Sequence, residues 1–279
     1  MWTIDRGLLA IDGAPVAQIP SNNTGGKFAS TPKIAVIHFT AGSTARSSAE
    51  WFRHPQNSAS SAHVVIERDG TVLQCVSFEA VAWHAGKSSW QGLVGLNRHS
   101  IGIELANWGY LRAADGGWVT STGKRIAEPY LGRHRNGNPD GSTGAIGWEP
   151  YPPEQFDAAL LLVQALKAAY GITQVVGHDD IAPVRKSDPG PAFNMTRFRA
   201  LAFDPRSDDG DDTASVASPG GLNLRSGPGT SFPSLTTLDD KTVLQLLGVD
   251  GAWLQVTAIS AAGVPERTGW VHSHYVKMD

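Results

Sequence analysis

An α/β domain with a mixed central sheet flanked by helices, followed by a small all-β barrel, is the architecture this sequence predicts. Three observations carry it. Apolar runs of strand length alternate with a long helical pattern up to about residue 203. The stretch from Asp204 to Gly221 is acidic and has no aromatic side chain. Beyond it, short β-rich segments recur between Gly, Pro and Asp turns. The expected division is therefore 1–203, a flexible linker at 204–221, and a second domain at 222–279.

Each element follows from local pattern. KIAVIHFT (33–40) is an apolar run bounded by Pro32 and Gly42, as in a buried central strand. AHVVIERDGTVLQCV (62–76) reads as two strands around Asp69-Gly70, a two-residue hairpin signal. HSIGIELANWG (99–109) is another strand. PPEQFDAALLLVQALKAAYG (152–171) is a helix with prolines at its start and Gly171 as its stop. Its apolar stripe is expected at Phe156, Leu160, Val163 and Leu166. ITQVVGH (172–178) follows as a strand that delivers His178 to its end. Residues 110–151 form a long Gly-rich excursion with no predicted elements of its own. Past the linker, LNLRS, SLTTL, TVLQLLGV, AWLQVTAI and TGWVHSHYVKM are short strands of a β-barrel.

Composition excludes several classes. Apolar residues make up 41% and charged residues 18% of the 279, enough for a sizeable core. The net charge is −3, with 18 basic and 16 acidic residues up to 202, and 5 and 10 after it. Neither part has the basic excess of a nucleic-acid binder. No apolar run approaches the ~20 residues of a membrane helix, so no membrane insertion is expected. The N-terminal MWTIDRGLLAIDGAP lacks a basic leader, and the expectation is synthesis in the cytoplasm without a signal peptide. Cys75 is the single cysteine, so no intrachain disulfide forms.

Function-grade side chains concentrate in GHDDIAPVRKSDPGPAF (177–193), where Pro183, Pro189 and Pro191 interrupt regular structure. His178 ends one strand and His38 lies near the end of another. If those strands are neighbours, Asp188 can return across the proline-stiffened loop to meet both. Two imidazoles and a carboxylate suit zinc and leave a fourth position for water. Against this stands the ordinary fate of a strand histidine, which is a satisfied place in the core. In SIGIEL, Gly102, Glu104 and Ala106 share one strand face, so the Glu104 carboxylate stands among nearly bare neighbours. That face suits a ligand and solvent equally well. Lys186 precedes Asp188 by two and points the same way in extended backbone, placed for a developing oxyanion or simply for solvent.

KIAVIHFTAGST, SSAHVVIERDGTVLQCV, AVAWHAGKSSWQG, NRHSIGIELAN and GHDDIAPVRKSDPGPAF together resemble the successive motifs of the zinc-dependent type 2 N-acetylmuramoyl-L-alanine amidases, which share a fold with the peptidoglycan recognition proteins. The resemblance covers roughly residues 1–202. It implies His38, His178 and Asp188 as zinc ligands and Glu104 and Lys186 as catalytic partners. It also implies Trp83 and His84 as walls of a groove for peptidoglycan or muropeptides, with core packing as the alternative for that pair. The implied reaction is hydrolysis of the amide between N-acetylmuramic acid and the L-alanine of the stem peptide. The excursion departs from the compact members and reads as a rim over the groove, with Arg133, His134 and Arg135 as contacts for anionic muropeptide, or as a solvated loop. LNLRSGPGTSF, AWLQV and GWVHSHYV resemble a bacterial SH3-like domain, which implies attachment to the cell wall and, with no leader, a lysin-like route to it. Alternatives are a peptidoglycan binder without activity, a cytoplasmic recycler of anhydro-muropeptides, and a cysteine amidase built on Cys75.

Overall fold

The computed structural model describes residues 1–203, 213–250, 252–261 and 264–278. The chain divides into two units, Met1–Met195 and Thr196–Asp279. In the first, β1 (Ala17–Gln18), β2 (Ile34–Phe39), β3 (Val64–Ile66), β4 (Val72–Gln74), β5 (Ser100–Leu105) and β6 (Gln174–Gly177) form one sheet in the order β6-β2-β5-β3-β4-β1. The four strands from β6 to β3 run parallel, β3 and β4 are an antiparallel hairpin, and β1 closes the edge parallel to β4. The sheet is mixed, as expected. Parallel strands are covered on both faces, which is why β2 reads as an unbroken apolar run and buries Ile34 to Ile37.

Register decides what meets at the strand ends. Glu104 lies directly opposite His38, and Gly177 lies opposite Ile37 on the other side. His178 therefore leaves β6 beside His38. Three parallel strands deliver their side chains to one carboxyl edge, where open α/β sheets bind ligands.

Two helices cover the sheet. Helix α1 (Ala45–Arg53) was not among the expected elements, although its signal is local: the Thr44 hydroxyl accepts from the Ser47 N–H at 3.0 Å, and Ser47 Oγ accepts from the Thr44 N–H at 3.3 Å. It buries Ala45, Ala49 and Phe52 against Val65, Leu73 and Cys75. Helix α2 (Pro153–Tyr170) ends at Gly171, whose φ of 66° and N–H to the Lys167 carbonyl make the expected glycine stop. Its buried face is Ala158, Ala159, Leu162, Val163 and Leu166, so the expected stripe was rotated: Phe156 and Leu160 are only half-buried. The helix is apolar over most of its circumference, and periodicity alone does not pick the side where small alanines allow close approach.

Three further expectations are corrected. The β3–β4 connection is residues 67–71, not a two-residue turn: the Glu67 N–H donates to the Thr71 carbonyl and the Gly70 N–H to the Glu67 carbonyl, with Gly70 at φ 84°. The 110–151 excursion has elements of its own. Arg112–Ala114, Gly117–Val119 and Arg125–Ile126 form one small sheet, and Tyr130–Gly132 pairs with Ile146–Trp148. Buried Trp148 and the paired Arg68–Glu149 contact, 2.9 Å on both arms, tie it to the unit. The flexible linker expected at 204–221 overlaps a strand at its C-terminal part. Residues 204–212 lie outside the described residues, but Thr213–Val216 is a strand whose Ala214 and Val216 are buried, because TASV alternates small polar and apolar side chains.

That strand, β7, begins the barrel. With β8 (Leu222–Arg225), β9 (Ser234–Leu238), β10 (Val243–Asp250), β11 (Trp253–Ile259), β12 (Pro265–His272) and β13 (Val276–Met278) it forms an antiparallel sheet in the order β9-β8-β12-β11-β10-β7-β13. Its core cluster is made of apolar side chains, including Leu222, Leu224, Leu244, Val256 and Val271. Among the described residues no helix is long and apolar enough to cross a membrane.

Candidate metal centre

The carboxyl edge of β2, β5 and β6 opens into a pocket of about 480 Å³ lined by His38, Trp83, His84, Glu104, His178, Lys186 and Asp188. His38, His178 and Asp188 are buried and meet at one point. Asp188 Oδ2 is 2.9 Å from both His38 Nδ1 and His178 Nδ1, and the two Nδ1 atoms are 2.9 Å apart. This is the group among the described residues whose donor atoms could jointly hold a metal ion. His178 Nε2 faces the Ala85 carbonyl at 3.2 Å, an oxygen that only accepts. Arg185 Nη2 lies 3.4 Å from the same nitrogen, so the Nε2 end of the ring is engaged by the protein and the Nδ1 end is turned toward Asp188. Two nitrogens and one carboxylate oxygen converging at 2.9 Å are a donor set that fits zinc.

The loop that carries His178 and Asp188 was expected to be held by its prolines and to lack regular structure. It contains a helical turn, α3 (His178–Ile181), and polar contacts hold it. The Asp179 N–H donates to the Asp188 carbonyl at 2.8 Å, tying the two candidate ligands' segments directly together. Asp180 accepts from the Gly177 N–H at 2.7 Å, and Arg185 donates to the carbonyls of Ala85 and Lys87. The excursion clamps the same turn: buried His134 contacts Asp179 at 3.0 Å, Asn136 donates to the Asp179 carbonyl, and Arg135 donates to Asp179 and Asp180 at 2.8 and 2.7 Å. Arg135 is thereby committed to two carboxylates, and neither it nor exposed Arg133 lines the pocket.

Glu104 reaches the same pocket from β5. Its Oε2 is buried with no hydrogen-bond partner. Burial first, and then the Asp188 charge, push its carboxyl up to about 8, with Lys186 pulling the other way. The bare neighbour at 102 does make room, but for protein: a Cβ on Gly102 would fall 2.3 Å from the His84 ring. His84 is buried, with Nδ1 3.0 Å from His38 Nε2. Burial, then the neighbouring His178, lower His38 to about 4, so it is neutral at physiological pH. Cys75 is buried, and burial pushes its thiol up to about 12, which removes the thiolate a cysteine nucleophile requires.

Residues that sequence reasoning did not single out complete the pocket wall. Thr40, Ser47, Ser48, Trp51 and Ser60 line it, and Trp51 is about half exposed and stacks on His54. The signal for them was the capping box at Thr44, since it starts the helix whose residues 47, 48 and 51 share a face. A larger, open hollow of about 720 Å³ on the excursion is lined by Trp118, Ile126, Pro129 and Leu131. Its one ionisable residue is Arg125, so it lacks the groups that acid–base or metal chemistry needs.

Comparison with known proteins follows these boundaries. Residues 28–191 match the family described as N-acetylmuramoyl-L-alanine amidase, and residues 220–277 match the bacterial SH3 domain. The chain is 35% identical over 145 residues to the 1,6-anhydro-N-acetylmuramyl-L-alanine amidase AmpD of Enterobacter cloacae, covering 51% of this chain and 57% of that one. It is 36% identical over 124 residues to the N-acetylmuramoyl-L-alanine amidase AmiD of Escherichia coli strain K12, covering 44% and 34%. The chain thus spans little more than half the length of these curated relatives at most. A crystal structure of a selenomethionine AmpD derivative is 28% identical, with a TM-score of 0.49, over 71% of this chain and 98% of that one.

Proposed function

The chain belongs to the N-acetylmuramoyl-L-alanine amidase family, and from that premise we propose that it hydrolyses the amide between N-acetylmuramic acid and the first L-alanine of the stem peptide, with zinc held by His38, His178 and Asp188. The observation that carries the proposal is the convergence of those three buried donors at 2.9 Å beside the unpartnered Oε2 of Glu104. When bound, zinc supplies Lewis acidity and makes water acidic near pH 7. The chain's own groups do the rest. Glu104, in its ionised form, takes a proton from the attacking water at its free oxygen and passes it to the leaving amine. Lys186 lines the pocket beside Asp188 and presents a fixed positive charge to the oxygen of the amide as negative charge develops there. Trp83 and Trp51 offer apolar faces, and Ser47, Ser48 and Ser60 offer hydroxyls, to a ligand that is part sugar and part peptide.

The C-terminal match to a bacterial SH3 domain supports a second module that holds the enzyme on the cell wall. Relatives named as 1,6-anhydro-N-acetylmuramyl-L-alanine amidases support a second reading, in which soluble anhydro-muropeptides are the substrate. Mass analysis of products from intact sacculi and from anhydro-muropeptides tests both. Release of stem peptide that stops on chelation and returns with zinc is the expected result. Zinc binding without release of peptide from either substrate would leave a binder, and peptide release by metal-free protein would overturn the mechanism.

A further inference from the structure

Behind the metal-facing trio a hydrogen-bond chain runs into the core, and its direction can be worked out from the inner end. The Ser100 hydroxyl lies 2.6 Å from the Leu96 carbonyl, which only accepts. Its single hydrogen is spent there, so it shows lone pairs to its other neighbour. That neighbour is His84 Nε2, 3.3 Å from the Ser100 hydroxyl and 3.4 Å from the Ser100 carbonyl. Both partners accept, so the hydrogen of the His84 ring sits on Nε2. The buried ring's partners are His38 and Ser100, neither of them an anion, so nothing holds a second hydrogen on it. Its Nδ1 then carries only a lone pair. His38 Nε2, 3.0 Å away, must supply the hydrogen between them. That leaves His38 Nδ1 bare, and Nδ1 is the atom facing Asp188 and His178.

We propose that His84, backed by Ser100, is a positioning residue that fixes His38 in the tautomer presenting Nδ1 to the metal. This rests on the metal-centre reading above. The reverse chain fails at its inner end: a hydrogen on His84 Nδ1 would turn the Nε2 lone pair onto two oxygens, unless Ser100 abandoned its 2.6 Å bond to Leu96. The fold is built to hold the ring in place. Gly102 has no side chain because the His84 imidazole occupies that space, and Asn97 Oδ1 accepts from the backbone N–H groups of His84 and Ala85 at 3.0 and 2.7 Å. His63 lies beside it at 5.9 Å between ring centres. Its own nitrogens are taken by the Gly102 N–H and the Ala80 carbonyl, so it offers His84 no competing partner.

The first test is nitrogen NMR of the zinc-loaded full chain labelled at histidine. His38 and His84 should both carry hydrogen on Nε2, and a hydrogen on Nδ1 of either overturns the proposal. The second is zinc affinity by chelator competition. His84→Phe keeps the ring's bulk without an acceptor and should bind zinc about 10–100-fold more weakly, as loss of such partners typically does. His84→Asn, which restores an acceptor near the Nδ1 position, should recover most of the affinity. A folded His84→Phe with unchanged affinity overturns the proposal; should it not fold, the NMR of the unmutated chain still decides. Absence of zinc binding by the unmutated chain would bring down the metal reading itself, whereas reversed tautomers in a chain that binds zinc would sink this proposal alone.

Discussion

The unit over Met1–Met195 buries His38, His63, His84, His134, His178, Asp179 and Asp188, whereas Thr257 is the one buried polar residue of the barrel among those described. Thr257 is satisfied by a single hydroxyl contact to Thr268. An imidazole or carboxylate taken out of water costs stability unless it is paired, so a fold does not accumulate them idly. The barrel spends its interior on leucine, valine and alanine and leaves its histidines and tryptophans at least partly exposed. The contrast separates a region organised around buried polar chemistry from one organised for stability with an interactive surface.

The largest expected effect breaks the polar cluster itself. His178→Ala or Asp188→Ala should abolish both zinc retention, read by metal analysis, and release of stem peptide, while the barrel's backbone hydrogen exchange stays as it was. A variant that kept metal and turnover would remove the trio from the mechanism. Next comes Glu104→Gln, which keeps the zinc donors and the shape of the site. A fall in kcat of about 10²–10⁴-fold is expected from loss of a general base. Unchanged kcat would move the proton transfer to another group.

The third prediction uses pH. Burial lowers His63 to about 4 in the folded chain, against 6.5 for the free side chain. The unfolded chain takes up its proton first, so stability is complete above pH 6.5 and falls as pH drops from there toward 4. The full effect is on the order of 3 kcal/mol. Hydrogen exchange across that window should show the first unit losing protection and the barrel keeping it. His63→Gln should flatten the slope, and equal losses in both units would erase the contrast. The smallest effect is expected on soluble substrate after removal of residues 204–279. No candidate for the chemistry lies beyond Asp188, so turnover of soluble muropeptide should stay near its original value while the rate on sacculi falls. Equal loss on both substrates would mean that the barrel completes or stabilises the first unit.

Much of the first unit was legible from local pattern. The β2 run, the Gly171 stop and the mixed sheet follow from periodicity and turn chemistry, which act over a few residues. The excursion's short strands were not, because two- and three-residue strands such as Arg125–Ile126 and Gly117–Val119 carry too little alternation to stand out. The partners of Arg135 were not legible for a related reason. A basic loop residue reads as a ligand contact until the fold supplies Asp179 and Asp180 as its partners.

What the sequence by itself determined is the kind of chemistry: two histidines and an aspartate near strand ends, a glutamate on a bare strand face, and a leucine- and valine-rich barrel after an acidic stretch. The motif order also named the family. What only the tertiary structure decided is which atoms face one another. The 140 residues between His38 and His178 are bridged by parallel pairing, and the register that sets Gly177 opposite Ile37 exists only once the sheet is assembled. The tautomer of His38 depends on His84 and Ser100, which reach it from another segment and another strand. Side-chain type is a local property of the chain, but the direction of a hydrogen bond is fixed by every acceptor around it, and those acceptors are gathered by packing.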